Sequence, residues 1–341
     1  MSLPKTYKQA AFKVKGEPLV VEDVPLTLPG PGEILIKVEA CGVCYSDMYA
    51  QFDGMGGGFP LVPGHEIIGR VAAVGDGVNV DTWKVGSRVG GGWHGGHDGT
   101  CTACKKGYFQ MCDNAIVNGE TKNGGFAEYC LIRAESGVHV PEHVDAAKYA
   151  PILCAGVSVF NSVRQLNIPV GETVAVQGLG GLGHLAIQYA RRMGYRVVAI
   201  SRGPDKERWA RDLGAHEYVD SSKGDIGDQL KALGGAALAI SVATSADAIA
   251  PLLKGLGVRG KLLILSVLGA VPVDIGVMLK RGLSVHSWPG GHHLDNEEAI
   301  AFTELNGVDC LVEKFPLAKA QEAYEAMLTG KVRFRAVLVM E

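Results

Sequence analysis

The chain has 341 residues, about two domains' worth at ~150 residues each. Its 47% hydrophobic and 20% charged residues are the balance of a folded globular protein and exclude extensive disorder. A formal net charge of −3, from 33 basic and 36 acidic residues, excludes a nucleic-acid-binding stripe or a polybasic membrane anchor as the main function. Glycine is the compositional outlier, 47 residues or about twice the usual share, with no Gly-X-Y period.

Residues 1–17 carry lysines and no apolar signal-type core, so no signal peptide is expected. From Phe12 to about residue 150 the pattern is all-β, with short β-branched runs such as 34–38 and 67–74 cut by Gly, Pro and Asp turns. A polar, glycine-rich loop over 90–123 interrupts it, and a loop of that length in a compact domain is functional or tied down. Helical spacing takes over around 147–165. After Pro169-Val170-Gly171 strands and helices alternate: strands at 173–177, 196–200, 218–219, 238–242, 261–265 and 283–286, and helices at 183–193, 206–213, 227–233 and 246–254. Alternation of this kind builds a parallel sheet covered on both faces. A helix over 317–329 and a strand over 336–340 end the chain. The best apolar stretch, 262–273, contains Ser266 and Pro272 and at about 12 residues is too short to span a bilayer. A soluble cytoplasmic protein is the expectation.

Among so many glycines the dinucleotide pattern G-x-G-x-x-G occurs by chance about once in a chain this long. It occurs three times here, at 90/92/95, 178/180/183 and 255/257/260. Only Gly178-Leu-Gly180-Gly181-Leu182-Gly183 follows an apolar strand and opens a helix, the context in which helix N–H groups face a pyrophosphate. The next strand ends in Ser201-Arg202, where an NAD site usually carries a carboxylate for the ribose hydroxyls. A hydroxyl and a guanidinium suit a 2′-phosphate, so NADP(H) is favoured over NAD(H). The alternative is that Arg202 faces solvent and Asp205 binds the ribose.

Eight cysteines in a chain expected to stay in a reducing compartment point to metal or catalysis rather than disulfides. Cys41-Gly-Val-Cys44-Tyr-Ser46-Asp47, Pro63-Gly64-His65-Glu66 and Pro151-Ile-Leu-Cys154, followed by the glycine loop, resemble the zinc-dependent medium-chain alcohol dehydrogenases over essentially the whole chain. The resemblance implies a GroES-like β-rich catalytic domain, residues 1–155 completed by 295–341, and a Rossmann doubly wound parallel-sheet domain at 156–294. It implies Cys44, His65 and Cys154 as catalytic zinc ligands, Glu66 as a nearby carboxylate, Asp47 as the partner orienting His65, and Ser46 as the start of the proton relay. Tyr49 stands where relatives usually carry the relay histidine, so either Tyr49 relays or protons leave by the cofactor ribose and water. Cys41 is expected to be a buried apolar residue.

The family's four-cysteine structural zinc lobe has its counterpart in Asp98, Cys101, Cys104 and Cys112, with Asp replacing the first cysteine and His97 as an alternative ligand. Met48, Tyr49 and Trp93 are expected in the substrate pocket, Ser158 at the nicotinamide and Arg335 at the pyrophosphate. His292 and His293 are expected at the surface. The activity implied is interconversion of alcohols with aldehydes or ketones, in a homodimer or homotetramer without nucleic-acid or membrane partners. A polyol or aryl-alcohol specialist, an NAD-dependent enzyme and a nonenzymatic nucleotide-binding protein of this fold are the competing readings.

Overall fold

The structure is a computed structural model describing residues 3–266 and 269–340. It divides into two compact units, Met1–Val157 with Gly290–Leu305 and Cys310–Glu341, and Ser158–Pro289 with Asn306–Asp309.

The first unit is built on the strand Glu33–Gly42, whose Ile34, Leu35, Ile36, Val38, Ala40 and Cys41 are all buried. A strand covered on both faces reads as a continuous apolar run, and this one has three partners. It pairs antiparallel with Ile67–Val74, with Tyr129–Arg133 along its first half, and with Arg335–Val339 at its end. Arg88–Gly91 and Gly137–His139 extend the sheet on one side and Val312–Pro316 on the other. The last strand of the chain thus completes the first unit, in a core with Phe12, Ile67, Phe126 and Tyr324.

The 90–123 segment is more ordered than its composition predicts. Strands His94–Gly96 and Ile116–Val117 pair, and a helical turn Thr102–Lys105 and a 3-10 turn Phe109–Met111 lie between them. The helical run expected at 147–165 is broken. Asp145 caps Ala146–Tyr149 by accepting from Ala147 N and Lys148 N, a 3-10 turn follows at Ala150–Leu153, and Cys154 leaves helical geometry before Ala155–Gln165. Pro151, which has no N–H to donate, sits at that break.

The second unit is a six-stranded sheet whose strands run parallel at every pairing. In order across the sheet they are Glu217–Asp220, Arg196–Ser201, Thr173–Gln177, Ala236–Ser241, Leu256–Ile264 and Ser284–His286. In chain order this is 3-2-1-4-5-6, the doubly wound arrangement whose direction reverses between the first and fourth strands. The expected helix 246–254 is two pieces, Ala246–Ile249 and Pro251–Gly255, divided at the proline. The strand expected at 261–265 starts at Leu256 and is bulged, since Ala236 faces Leu256 but Leu238 faces Lys261. The 255/257/260 glycine match falls at this bulge, and the 90/92/95 match lies in and beside short strands, so neither opens a helix.

Helices Ile275–Arg281 and His293–Asn306 and strand Val312–Pro316 were not anticipated. Asp274 accepting from Val277 N and Gly282 at φ 64° are start and stop signals that periodicity alone misses. Val267 and Leu268, within the apolar stretch 262–273, lie outside the described residues, as do Met1 and Ser2. Among the described residues no helix is long and apolar enough to cross a membrane.

Candidate active site

Cys44 and Asp47 occupy the turn between the strand Glu33–Gly42 and the short helix Asp47–Phe52. Asp47 is fully buried and organises the corner. Its Oδ2 accepts from Cys44 N at 2.8 Å and its Oδ1 from Gly64 N at 3.2 Å, and Oδ1 also lies 3.3 Å from His65 Nδ1. One carboxylate therefore orders the cysteine backbone and the residue before the histidine, and faces the imidazole.

The break at Cys154 brings its Sγ to 3.8 Å from Cys44 Sγ. One ligand atom from each of Cys44, His65, Glu66 and Cys154 lies within 4.8 Å of every other. Two thiolates bound ~2.3 Å from a tetrahedral zinc stand ~3.8 Å apart. His65 Nε2 is buried without a hydrogen-bond partner, an acceptor that a metal would satisfy. The donor set and its spacing fit zinc. A hydrogen bond from the Cys154 thiol holds Cys44 well below the ordinary thiol range, against the opposing effect of burial, and His65 adds to the lowering.

Glu66 is fully buried and ion-paired with Arg335, which is 4% exposed. Burial raises the Glu66 carboxyl to about 7, and the Arg335 charge opposes the rise. Glu66 packs so closely on the strand that a Cβ at Gly42 would stand 1.8 Å from Oε2. Arg335, expected at the pyrophosphate, makes this ion pair within the first unit. A buried guanidinium needs a counter-charge, and Glu66 supplies it. The arginine's partner is set by the register of the last strand, which places Val337 opposite Gly42.

Trp93 meets the His65 ring edge-on at 4.8 Å. Ser46 precedes the helix Asp47–Phe52, and Met48 and Tyr49 lie half-buried on it. Burial raises the Tyr49 phenol above its ordinary value. Cys41 is fully buried in the core.

Sequence reasoning missed Glu120. It is 1% exposed, and a carboxyl oxygen lies within 4.8 Å of Asp47 and His65 ligand atoms. Burial and the Asp47 charge push it up to about 9. Asn118-Gly119-Glu120-Thr121 reads as an ordinary surface turn, so no sequence signal marked it.

The second cluster gathers Asp98, Cys101, Cys104 and Cys112 within the same 4.8 Å limit. Asp98 Oδ1 accepts from Thr100 N and Cys101 N, and Asn114 donates to Oδ2. Cys112 Sγ accepts from Asp98 N and Asn114 N, and Cys101 Sγ from Cys104 N. These bonds suit thiolates, and the Asp/Cys₃ set suits a closed tetrahedral zinc. His97 is turned to His94, with its Nδ1 3.1 Å from His94 Nε2, and stacks on Phe109 at 4.1 Å. His292 and His293 are not at the surface as expected. They are half-buried, packed against the same Phe109.

In the second unit Gly178 follows the first strand at φ 99°, a left-handed conformation open to glycine, and a Cβ at Gly183 would stand 1.7 Å from Gly178 O. At Gly180 nothing lies within 4 Å of the Cβ position. Turn, cradle and close helix packing are the three uses of glycine in a dinucleotide loop. Gly181 and Leu182 lead into the helix Gly183–Arg192. The second strand ends at Ser201, where Gly203 N donates to Asp220 Oδ1 at 2.8 Å. Arg202 is exposed, and its guanidinium makes no ion pair among the described residues. Asp220 Oδ2, which the sequence did not single out, is buried and unpartnered. Ser158 lies half-buried in the helix Ala155–Gln165.

Residues 30–142 match the family model for the alcohol dehydrogenase GroES-like domain, and 181–305 that for zinc-binding dehydrogenases. The chain is 67% identical over 341 residues to the alcohol dehydrogenase notN of an Aspergillus strain, covering 100% of both. It is 63% identical over 337 residues to alcohol dehydrogenase patD of Penicillium expansum, covering 99% and 98%. A solved cinnamyl alcohol dehydrogenase from Sorghum bicolor superposes with a TM-score of 0.88 at 29% identity, over 98% of each chain.

Proposed function

This chain belongs to the zinc-binding, medium-chain alcohol dehydrogenase family, and we propose from that premise that it interconverts alcohols with aldehydes or ketones using zinc and NADP(H). Cys44, His65 and Cys154 are the proposed zinc ligands, with Glu66 beside them, and Asp98, Cys101, Cys104 and Cys112 are the proposed structural set. The carrying observation is the 3.8 Å Cys44–Cys154 sulfur pair beside the unpartnered His65 Nε2. When bound, zinc would supply Lewis acidity and the nicotinamide a hydride acceptor or donor.

The chain's own residues do the remaining work. Asp47 holds the His65 ring so that Nε2 is free for the metal. The Ser46 hydroxyl would take the proton of the alcohol, which would leave either by Tyr49 or, with cofactor bound, by its ribose and water. Met48, Tyr49 and Trp93 line the substrate side. Gly178, Gly180, Gly181, Leu182 and Gly183 cradle the pyrophosphate, and Ser158 touches the nicotinamide. The first unit serves as the catalytic domain and the second as the cofactor domain, close to 1–155 with 295–341 and 156–294. A cytoplasmic homodimer or homotetramer completes the proposal.

NADP(H) is favoured by Arg202, exposed and without an ion-pair partner at the end of the second strand. NAD(H) is favoured by Asp220, whose unpartnered oxygen would repel a 2′-phosphate or accept from a ribose hydroxyl. Metal analysis with NADPH and NADH kinetics across aliphatic, aryl and polyol-derived aldehydes tests zinc, cofactor and substrate class together. The sorghum neighbour's name is reason to include cinnamaldehyde. The expected result is two zinc ions per chain and faster turnover with NADPH. Ser201→Asp with Arg202→Gly should shift the NADPH/NADH preference at least about tenfold toward NADH. An unchanged ratio refutes the NADP(H) assignment, and no oxidation of either cofactor with any aldehyde refutes the enzyme.

A further inference from the structure

Glu120 has no role in the chemistry above, yet the fold carries it to the metal ligands. Neither of its carboxyl oxygens has a hydrogen-bond partner, although the residue is 1% exposed. Leaving such a group unsatisfied costs several kcal/mol by typical transfer values, so its position needs a reason. A Glu120 oxygen lies within 4.8 Å of both an Asp47 oxygen and a His65 ring nitrogen.

The placement is built into the backbone. The loop that carries Glu120 is strapped to the segment that carries His65: Gly124 N donates to Val62 O at 2.8 Å, Gly125 N to Gly64 O at 2.8 Å and Phe126 N to Pro63 O at 3.0 Å. Gly119, at φ 77°, packs so closely that a Cβ there would stand 2.6 Å from Gly64 N. Gly57 also packs closely here, where a Cβ would stand 1.9 Å from Glu120 O. Asp47 already accepts from Cys44 N and Gly64 N. A second carboxyl beside it is tolerated when it is neutral and brings a hydrogen of its own.

We propose that Glu120 is a positioning residue of the metal centre, donating its carboxyl hydrogen to Asp47 and so holding Asp47 against His65 Nδ1, with Nε2 directed at the metal. The proposal rests on the zinc assignment to Cys44, His65 and Cys154. Glu120 acts on the metal only through Asp47 and His65.

The test is zinc transfer from the full-length holoenzyme to a chromogenic chelator, together with the visible spectrum of the cobalt-substituted protein. Cys154→Ala, which removes a ligand, identifies the catalytic-site phase, and the lobe's zinc reports on the fold. Glu120→Ala should release catalytic-site zinc about 10–100-fold faster and shift the cobalt bands. Glu120→Gln, which keeps a donor and an acceptor, should restore slow release and the wild-type spectrum. Wild-type release from Glu120→Ala, or release from Glu120→Gln as fast as from Glu120→Ala, overturns the proposal. If Glu120→Ala also loses the lobe's zinc, Glu120→Asp decides: fast release at the catalytic site alone supports the role, and wild-type release overturns it. A wild-type protein with no phase sensitive to Cys154→Ala fails the zinc assignment itself, a different result from intact zinc binding that ignores Glu120.

Discussion

Buried charge around Cys44 and His65 is balanced by specific partners, and each partner came from a different part of the chain. Glu66 answers to Arg335, 269 positions away, and Asp47 to backbone donors 3 and 17 positions away. Removing one member of a buried ion pair is far costlier than never having built it, because the other charge is left without water or partner. Arg335→Leu should therefore destabilise the metal-free protein by about 3–5 kcal/mol in denaturant unfolding. Adding Glu66→Gln should recover more than half of the loss. A single variant as stable as wild type would mean that the pair contributes nothing. Cys44, His65 and Cys154, which the structure brings together, were singled out in the sequence because the motifs around them resemble those of a known family. The partner of Arg335 and the place of Glu120 were not legible, since an arginine in a strand and a glutamate in a turn are ordinary until their neighbours are known.

Short elements around each site do the positioning, and their limits are set by single residues. The helix Gly183–Arg192 can pack on the first strand only because residue 183 has no side chain, a Cβ there meeting Gly178 O at 1.7 Å. Gly183→Ala should push the helix away from the loop, cost about 1–3 kcal/mol as overpacking does, and weaken NADPH binding at least about tenfold by fluorescence titration. Wild-type affinity in that variant would place the cofactor elsewhere. Strand and helix order in the second unit was legible because each segment carries its own periodicity. The break at Cys154 and the bulge after Leu256 were not. A break or bulge is decided by what packs against it, and the apolar pattern continues through both.

At the scale of the whole molecule, the chain crosses between its two units more than once and still builds a principal sheet in each. The lobe at 98–112 gathers its cluster of sulfur and carboxylate donors and the Phe109 stack. Bound zinc there would act as a local cross-link. Cys112→Ser should lower zinc content from two to one per chain and reduce the thermal midpoint, while zinc at the Cys154 site is retained. A midpoint and zinc content equal to wild type would show the lobe to be held without metal. Periodicity, a local property of the chain, marked the alternating parallel-sheet unit and the one glycine loop that opens a helix, while the zinc-type donor sets and the β-rich catalytic fold were readable through the resemblance of the motifs around Cys44, His65 and Cys154 to a known family. Tertiary structure alone decided that Arg335 pairs with Glu66, that Asp220, at the end of the third strand, stands beside the end of the second, and that Glu120 is buried beside Asp47 and His65. Pairings of this kind depend on strand register and loop packing between distant segments, and no local pattern records them.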